Sequence, residues 1–199
     1  GVVFHHMGNW DLHLNDIIKR AAYRLSDLRR AGLRRDGLPV ERARQLVWSQ
    51  ICPLWEYGAA AILWSKQQVA RLESLFNRAV RQAVGAPRYT SIEPILRDMD
   101  LLEARPSERL RMYRLKMFHK VSGMKATRWV QRAVNMWPLA DEAWKKSNWV
   151  YDRRKTPPAT WISAVNQDLK VSKLDVMSMD EVLRTPLDKW HETVKEALF

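Results

Sequence analysis

From residue 11 onward, apolar positions recur at three- and four-residue spacing, the pattern of helices that bury one face. Leu14, Ile17, Ile18, Ala21, Leu25 and Leu28 predict a helix over about Asp11–Ala31. Its polar side carries Lys19, Arg20, Arg24, Arg29 and Arg30, and Arg34 and Arg35 follow the break at Gly32. Gly37-Leu38-Pro39 opens a second helix through Leu46, Val47 and Ile51, which Pro53 should kink or end, because proline cannot donate to Ser49. Leu54 to Trp64 is apolar apart from Glu56, which predicts a helix buried all round, with Glu56 paired to an arginine of a neighbouring helix. Ser65 with Gln68 forms a capping box ahead of the stripe Val69, Leu72, Leu75, Phe76, Ala79, Val80 and Ala83, and Gly85 and Pro87 stop that helix. Thr90 with Glu93 predicts another capping box and a short helix through Ile95 and Leu96.

Pro106 starts a basic helix to about Val121, with Leu110, Tyr113, Met117 and Val121 as its apolar stripe and Leu115 and Phe118 beside it. Residues 125–155 have no clear period; they hold Trp129, Trp137, Trp144 and Trp149 and end in Arg153-Arg154-Lys155. Thr156-Pro157-Pro158 marks a stiff boundary. Helices over about Ala159–Leu169 and Met179–Phe199 follow, the second opened by a Ser178–Glu181 capping box and broken near Pro186. Gly1 to Phe4 reads as the end of a strand with no partner in this chain. The pattern therefore predicts an all-α helical bundle with a short N-terminal strand remnant and a C-terminal helical extension. The predicted domains are a basic bundle over 1–124 and a Trp-rich extension over 125–199. Ile51, Leu54, Leu72, Phe76 and Val80 are the expected centre of the core.

Charge narrows the function. The 199 residues carry a formal net charge of +12, and residues 1–124 hold 21 basic against 12 acidic side chains, so the excess is concentrated there. Such an excess favours a polyanion, nucleic acid before membrane. The cations of the basic helix span too wide an arc to oppose a lipid-facing stripe, and no apolar run is long enough to span a bilayer. Cys52 is the one cysteine, so no intrachain disulfide can form, and His5, His6, His13, His119 and His191 do not give a zinc pattern. No cofactor or metal is expected. Asp98 and Asp100 point apart on a helix, no phosphate-binding glycine loop is present, and no nucleophile elbow accompanies the Ser, His and Asp residues, so no catalytic centre is expected in this chain. With no secretory signal visible, the expected setting is intracellular, with an organelle such as the mitochondrion or the nucleus both open.

Several phrases resemble the C-terminal part of the reverse transcriptase of non-LTR (LINE-type) retrotransposons. Gly1-Val2-Val3 is similar to that family's palm-end strand, and Trp10-x-x-His13 to the W-x-x-H that opens its first thumb helix, followed by the basic run ending Leu28-Arg29-Arg30. Pro53-Leu54-x-Glu56-Tyr57-Gly58 is similar to the P-x-x-E-Y-G segment, and Gly85-Ala86-Pro87-Arg88 with Thr90 to the G-x-P-R-x-T turn. Leu101-Leu102 resembles the segment leading into the basic helix. Pro157-Pro158-x-x-Trp161 with Asp168-Leu169, and Asp188-Lys189-Trp190, resemble parts of the tail. The likeness is best over 1–121, slight over 122–150 and partial beyond. It implies a helical thumb that holds a template–primer duplex beside a palm, plus a C-terminal extension. The polymerase aspartates and the endonuclease of such proteins are not in this sequence, nor is the Cys/His knuckle of some relatives.

The expectation is thus a domain that grips RNA or an RNA–DNA duplex through phosphates. Its candidate contacts are Lys19, Arg20, Arg24, Arg29, Arg30, Arg34, Arg35, Arg88, Arg105, Arg109, Arg111, Arg114, Lys116 and Lys120. A structural RNA-binding subunit of a ribonucleoprotein, such as a divergent organellar ribosome with other protein subunits as neighbours, fits a chain without the catalytic half. The alternatives are the thumb portion of an active reverse transcriptase and a protein–protein adaptor that uses its tryptophans.

Overall fold

The computed structural model describes residues 10–30, 38–124, 161–177 and 179–198, and among these it is helical with no strand. The expected strand at Gly1–Phe4, the tryptophans and basic run of 125–155, the Thr156–Pro158 boundary and Ser178 of the last capping box lie outside the described residues. The chain divides into two units between Leu110 and Arg111. The boundary expected from the sequence lay after residue 124, whereas this division falls inside the basic helix.

The first unit starts with α1 (Asp11–Arg30), in which Leu14, Ile17, Ala21 and Leu25 are buried as the stripe requires. α2 (Val40–Leu46) runs into one wide π turn, Val47–Ile51, and then into the short α3 (Pro53–Glu56). Proline is the cause of the wide turn. It removes one donor and crowds the preceding turn, and the ladder answers with an i→i−5 bond from the Cys52 amide to the Val47 carbonyl at 3.0 Å. The helical path thus continues through Pro53 and stops only at Tyr57, because Gly58 takes φ 79°.

The buried helix expected over Leu54–Trp64 is therefore confined to its first turn. The remainder is a compact turn that still buries Ala59, Ile62 and Trp64. An all-apolar run has no period to tell helix from turn, and the glycine decided it.

α4 (Lys66–Ala83) begins with the expected capping box: the Gln68 amide donates to Ser65 Oγ at 3.2 Å and the Ser65 amide to Gln68 Oε1 at 2.9 Å. The Thr90–Glu93 box does not form. α5 (Ile92–Asp98) starts one residue later than that box requires, after Ser91, and Glu93 turns to Arg105 instead. α6 (Pro106–Ser122) has its N-terminal Ser107 amide capped at 2.9 Å by Glu73 of α4. Ile51, Leu54, Leu72, Phe76 and Val80 are all buried, with Trp55 edge-on to Phe76 at 5.8 Å. Cys52 is buried among them, and burial together with the nearby Glu56 pushes its thiol pKa up.

The second unit is built from the rest of α6 with α7 (Trp161–Val171), α8 (Met179–Arg184) and α9 (Leu187–Leu198). The break expected near Pro186 separates α8 from α9. Met112, Leu115 and Phe118 pack with Val165, Leu174, Val182, Trp190 and Val194. Of the expected Leu110–Tyr113–Met117–Val121 stripe, Leu110 and Val121 are buried, while Tyr113 and Met117 are half-buried and Met112, Leu115 and Phe118 face this core instead. Apolar residues occupy most of the circumference of α6, so spacing alone cannot pick the buried arc. Trp190 is fully buried, donates its indole N–H to the Leu115 carbonyl at 3.1 Å, and stacks on His119 at 5.5 Å.

Candidate nucleic-acid interface

Three hydrogen bonds run between α1 and α4. Gln68 Nε2 donates to Asp11 at 2.8 Å, Arg71 to Asn15 at 2.7 Å, and Gln82 Nε2 to the Leu25 carbonyl at 3.4 Å. Rising numbers on one helix meet rising numbers on the other, so the two run parallel. Asn15, Lys19 and Tyr23 follow one another at four-residue spacing on α1, and Arg71, Ser74 and Arg78 at three and four on α4. All six are exposed, and they form the solvent side of the pair.

The charge on this side is lopsided. α4 holds Lys66, Arg71, Arg78 and Arg81 but a single acid, Glu73, and Glu73 is turned onto the N-terminus of α6. On α1, Asp16 pairs with Arg20 at 2.9 Å, and Asp11, at the start of the pair, lies 4.0 Å from Arg71.

The cations named from the sequence separate into groups. Arg109 is committed inside the first unit: it donates to Glu56 at 2.7 Å from Nε, reaches it at 2.5 Å from Nη2, and lies 4.9 Å over the Trp48 ring. This is the arginine partner that Glu56 was expected to need. Arg114 grips the buried Asp168 through two bonds, at 2.7 and 3.2 Å, and Arg111 lies 3.4 Å from the same carboxylate. Arg105 is bonded to Glu93. Arg105, Arg109, Arg111 and Arg114, expected as phosphate contacts, are thus each paired with an acid of the chain. Acids distant in sequence reach them, which local spacing could not reveal.

Arg20 and Arg24 remain partly engaged, Arg24 through Gln50 at 2.9 and 3.1 Å. Lys19, Arg88 and Lys120 are exposed and Lys116 is half-buried; Lys116 and Lys120 belong to the second unit. The side chains of Arg29 and Arg30, and Arg34 and Arg35 altogether, lie outside the described residues. Arg71, Arg78 and Tyr23 are exposed on this side and were not among the expected contacts. The recurrence of Arg71, Ser74 and Arg78 opposite the apolar stripe of α4 was the available signal.

Where α4 ends, the chain makes a pinned turn. The Ala86 amide donates to the Arg81 carbonyl at 2.8 Å, the Thr90 amide to the Pro87 carbonyl at 3.1 Å, and Arg81 Nε to the Thr90 carbonyl at 2.9 Å. Gly85 takes φ 72°, which closes the helix. The tip of this turn is Arg88-Tyr89, and Tyr89 is 90% exposed.

Among the described residues there is no group of three or more His, Cys, Asp and Glu side chains able to hold a metal ion, and no helix long and apolar enough to cross a membrane. The residues that carry the reverse-transcriptase resemblance mostly have structural work. His13 is buried and stacks on Trp64 at 6.0 Å, Glu56 holds Arg109, Gly58 and Gly85 close helices, and Asp168 and Trp190 build the second unit. No protein-family model, curated protein or solved structure matches the chain.

Proposed function

We propose that this chain is a nucleic-acid-binding helical domain of reverse-transcriptase ancestry, without a catalytic centre of its own, that serves as a structural RNA-binding component of a ribonucleoprotein. The observation that carries the reading is the solvent side of α1 and α4. It presents Lys19, Arg71 and Arg78, while the one acid of α4 faces the N-terminus of α6. Exposed cations that outnumber the nearby acid, Asp11, suit a polyanion, whose condensed counterions they displace. The resemblance supports RNA or an RNA–DNA duplex as the polyanion.

The test is RNA binding by the full chain across a salt series. Binding should be nearly blind to sequence and should weaken linearly on log–log axes. Replacing Lys19, Arg71 and Arg78 together by Gln should lower the slope by up to about three units and leave the thermal melt in place. An unchanged affinity and slope in that variant would overturn the reading for this surface. A native chain that co-purifies with protein alone would favour an adaptor.

A further inference from the structure

The Arg88-Tyr89 turn is the second feature of the first unit that faces solvent among the described residues. Isolated exposed aromatics are ordinary, but three properties set this one apart. Tyr89 is 90% exposed, more than any other large hydrophobic side chain among the described residues. Its turn is held by the Arg81 side chain, by Pro87 and by the main-chain bonds around Gly85, so the ring stands on a support already ordered. Its neighbour Arg88 is exposed too. Anchoring a turn in advance removes the ordering cost that a flexible loop would bear on binding.

We propose that Tyr89 is a stacking platform for an unpaired nucleobase of bound RNA, with Arg88 engaging the phosphate beside it. This rests on the nucleic-acid reading above and names the form of nucleic acid that the first unit prefers. A ring on the tip of a tight turn needs a base with a free face. Inside a continuous duplex both faces of each base are covered by neighbours, whereas a single strand, bulge or end offers them. The adjacent guanidinium supplies the cation that a stacked nucleotide also requires, and the net charge of +12 draws the strand in. A protein partner could also use Tyr and Arg, but an acidic peptide would meet the guanidinium without needing a flat aromatic beside it.

The experiment compares an unstructured RNA with the same strand annealed to its complement, using the full chain and the variants Tyr89→Ala, Tyr89→Phe and Arg88→Gln. Tyr89→Ala should weaken single-strand binding roughly ten-fold, the scale of one lost base stack, and change duplex binding little. Tyr89→Phe should bind as the parent does, because the ring remains. Arg88→Gln should weaken the single strand and lower its salt slope by about one unit. All variants should melt with the parent, since both side chains lie in solvent.

If the parent binds RNA and Tyr89→Ala binds the single strand equally well, the platform is refuted and the broader reading stands. Equal weakening on single strand and duplex also refutes it. Loss of a co-purifying protein with RNA binding intact assigns the turn to a protein partner instead. A parent that binds neither RNA overturns both proposals.

Discussion

Arg109 and Arg71 carry the same charge and should respond in opposite ways to the same change. Arg109 is about one-sixth exposed and Glu56 similarly so, at 16% and 18%. Arg109→Gln strands Glu56 in an apolar turn and should cost about 2–4 kcal/mol of stability, near the lower end for broken buried pairs, because some water reaches both groups. Arg71→Gln should shift stability by no more than about 0.5 kcal/mol and act on RNA binding instead. Urea melts of the two variants separate these outcomes. His13 gives the residue scale a pH dependence. Burial first, then the nearby Arg20, holds its pKa below the ordinary value, with Asp16 opposing. The unfolded chain therefore takes up this proton first as pH falls. Stability from His13 is complete above about pH 6.5 and declines below it, as the unfolded state protonates ahead of the folded one. His13→Phe keeps a ring against Trp64 and should flatten the dependence of the urea midpoint between about pH 7 and 5.

At the scale of elements, α4 organises the first unit, because α1 lies along it and Glu73 caps α6 from it. Phe76 sits fully buried against Trp55. Phe76→Ala should destabilise by about 3–5 kcal/mol, and a loss under about 1 kcal/mol would deny α4 its inward face. Much of this was legible in the sequence. The capping box, the stripe and the glycine stop of α4 all act locally, and local signals survive folding. That Glu56 needs an arginine was legible as well, since a lone acid in an apolar run has to be paired. Which arginine answers it was not, because Arg109 arrives from a helix far along the chain. The same long-range pairing hid the acids that Arg105, Arg111 and Arg114 engage. The turn at Gly58 was hidden for another reason: a run without polar positions carries no period. Thr90 shows the limit of motifs, because its box was correct in spacing and lost to the Glu93–Arg105 pair.

For the whole molecule, the division inside α6 predicts how the chain can be cut. Met112, Leu115 and Phe118 belong to the core of the second unit, although they lie within the stretch that sequence alone assigns to the first. A fragment of residues 1–124 should therefore expose Met112, Leu115 and Phe118 and self-associate more than one ending at Leu110, which lacks them. Sedimentation of the two fragments checks this. Equal monomeric behaviour would show that those three side chains do not need the C-terminal helices.

The buried thiol beside the π turn also provides a clock. Cys52 is the only sulfhydryl in the sequence, it is inaccessible in the folded state, and its raised pKa keeps it from forming the reactive thiolate. A thiol reagent added to native protein should modify it only during excursions that open the first unit, so the labelling rate measures how often those excursions occur. Phe76→Ala should speed labelling. Rapid modification of the unaltered chain would place Cys52 at the surface and dismantle the packing around Pro53. Without any engineered probe, the natural sequence thus lets breathing of one unit be timed while the other, which contains no cysteine, stays silent.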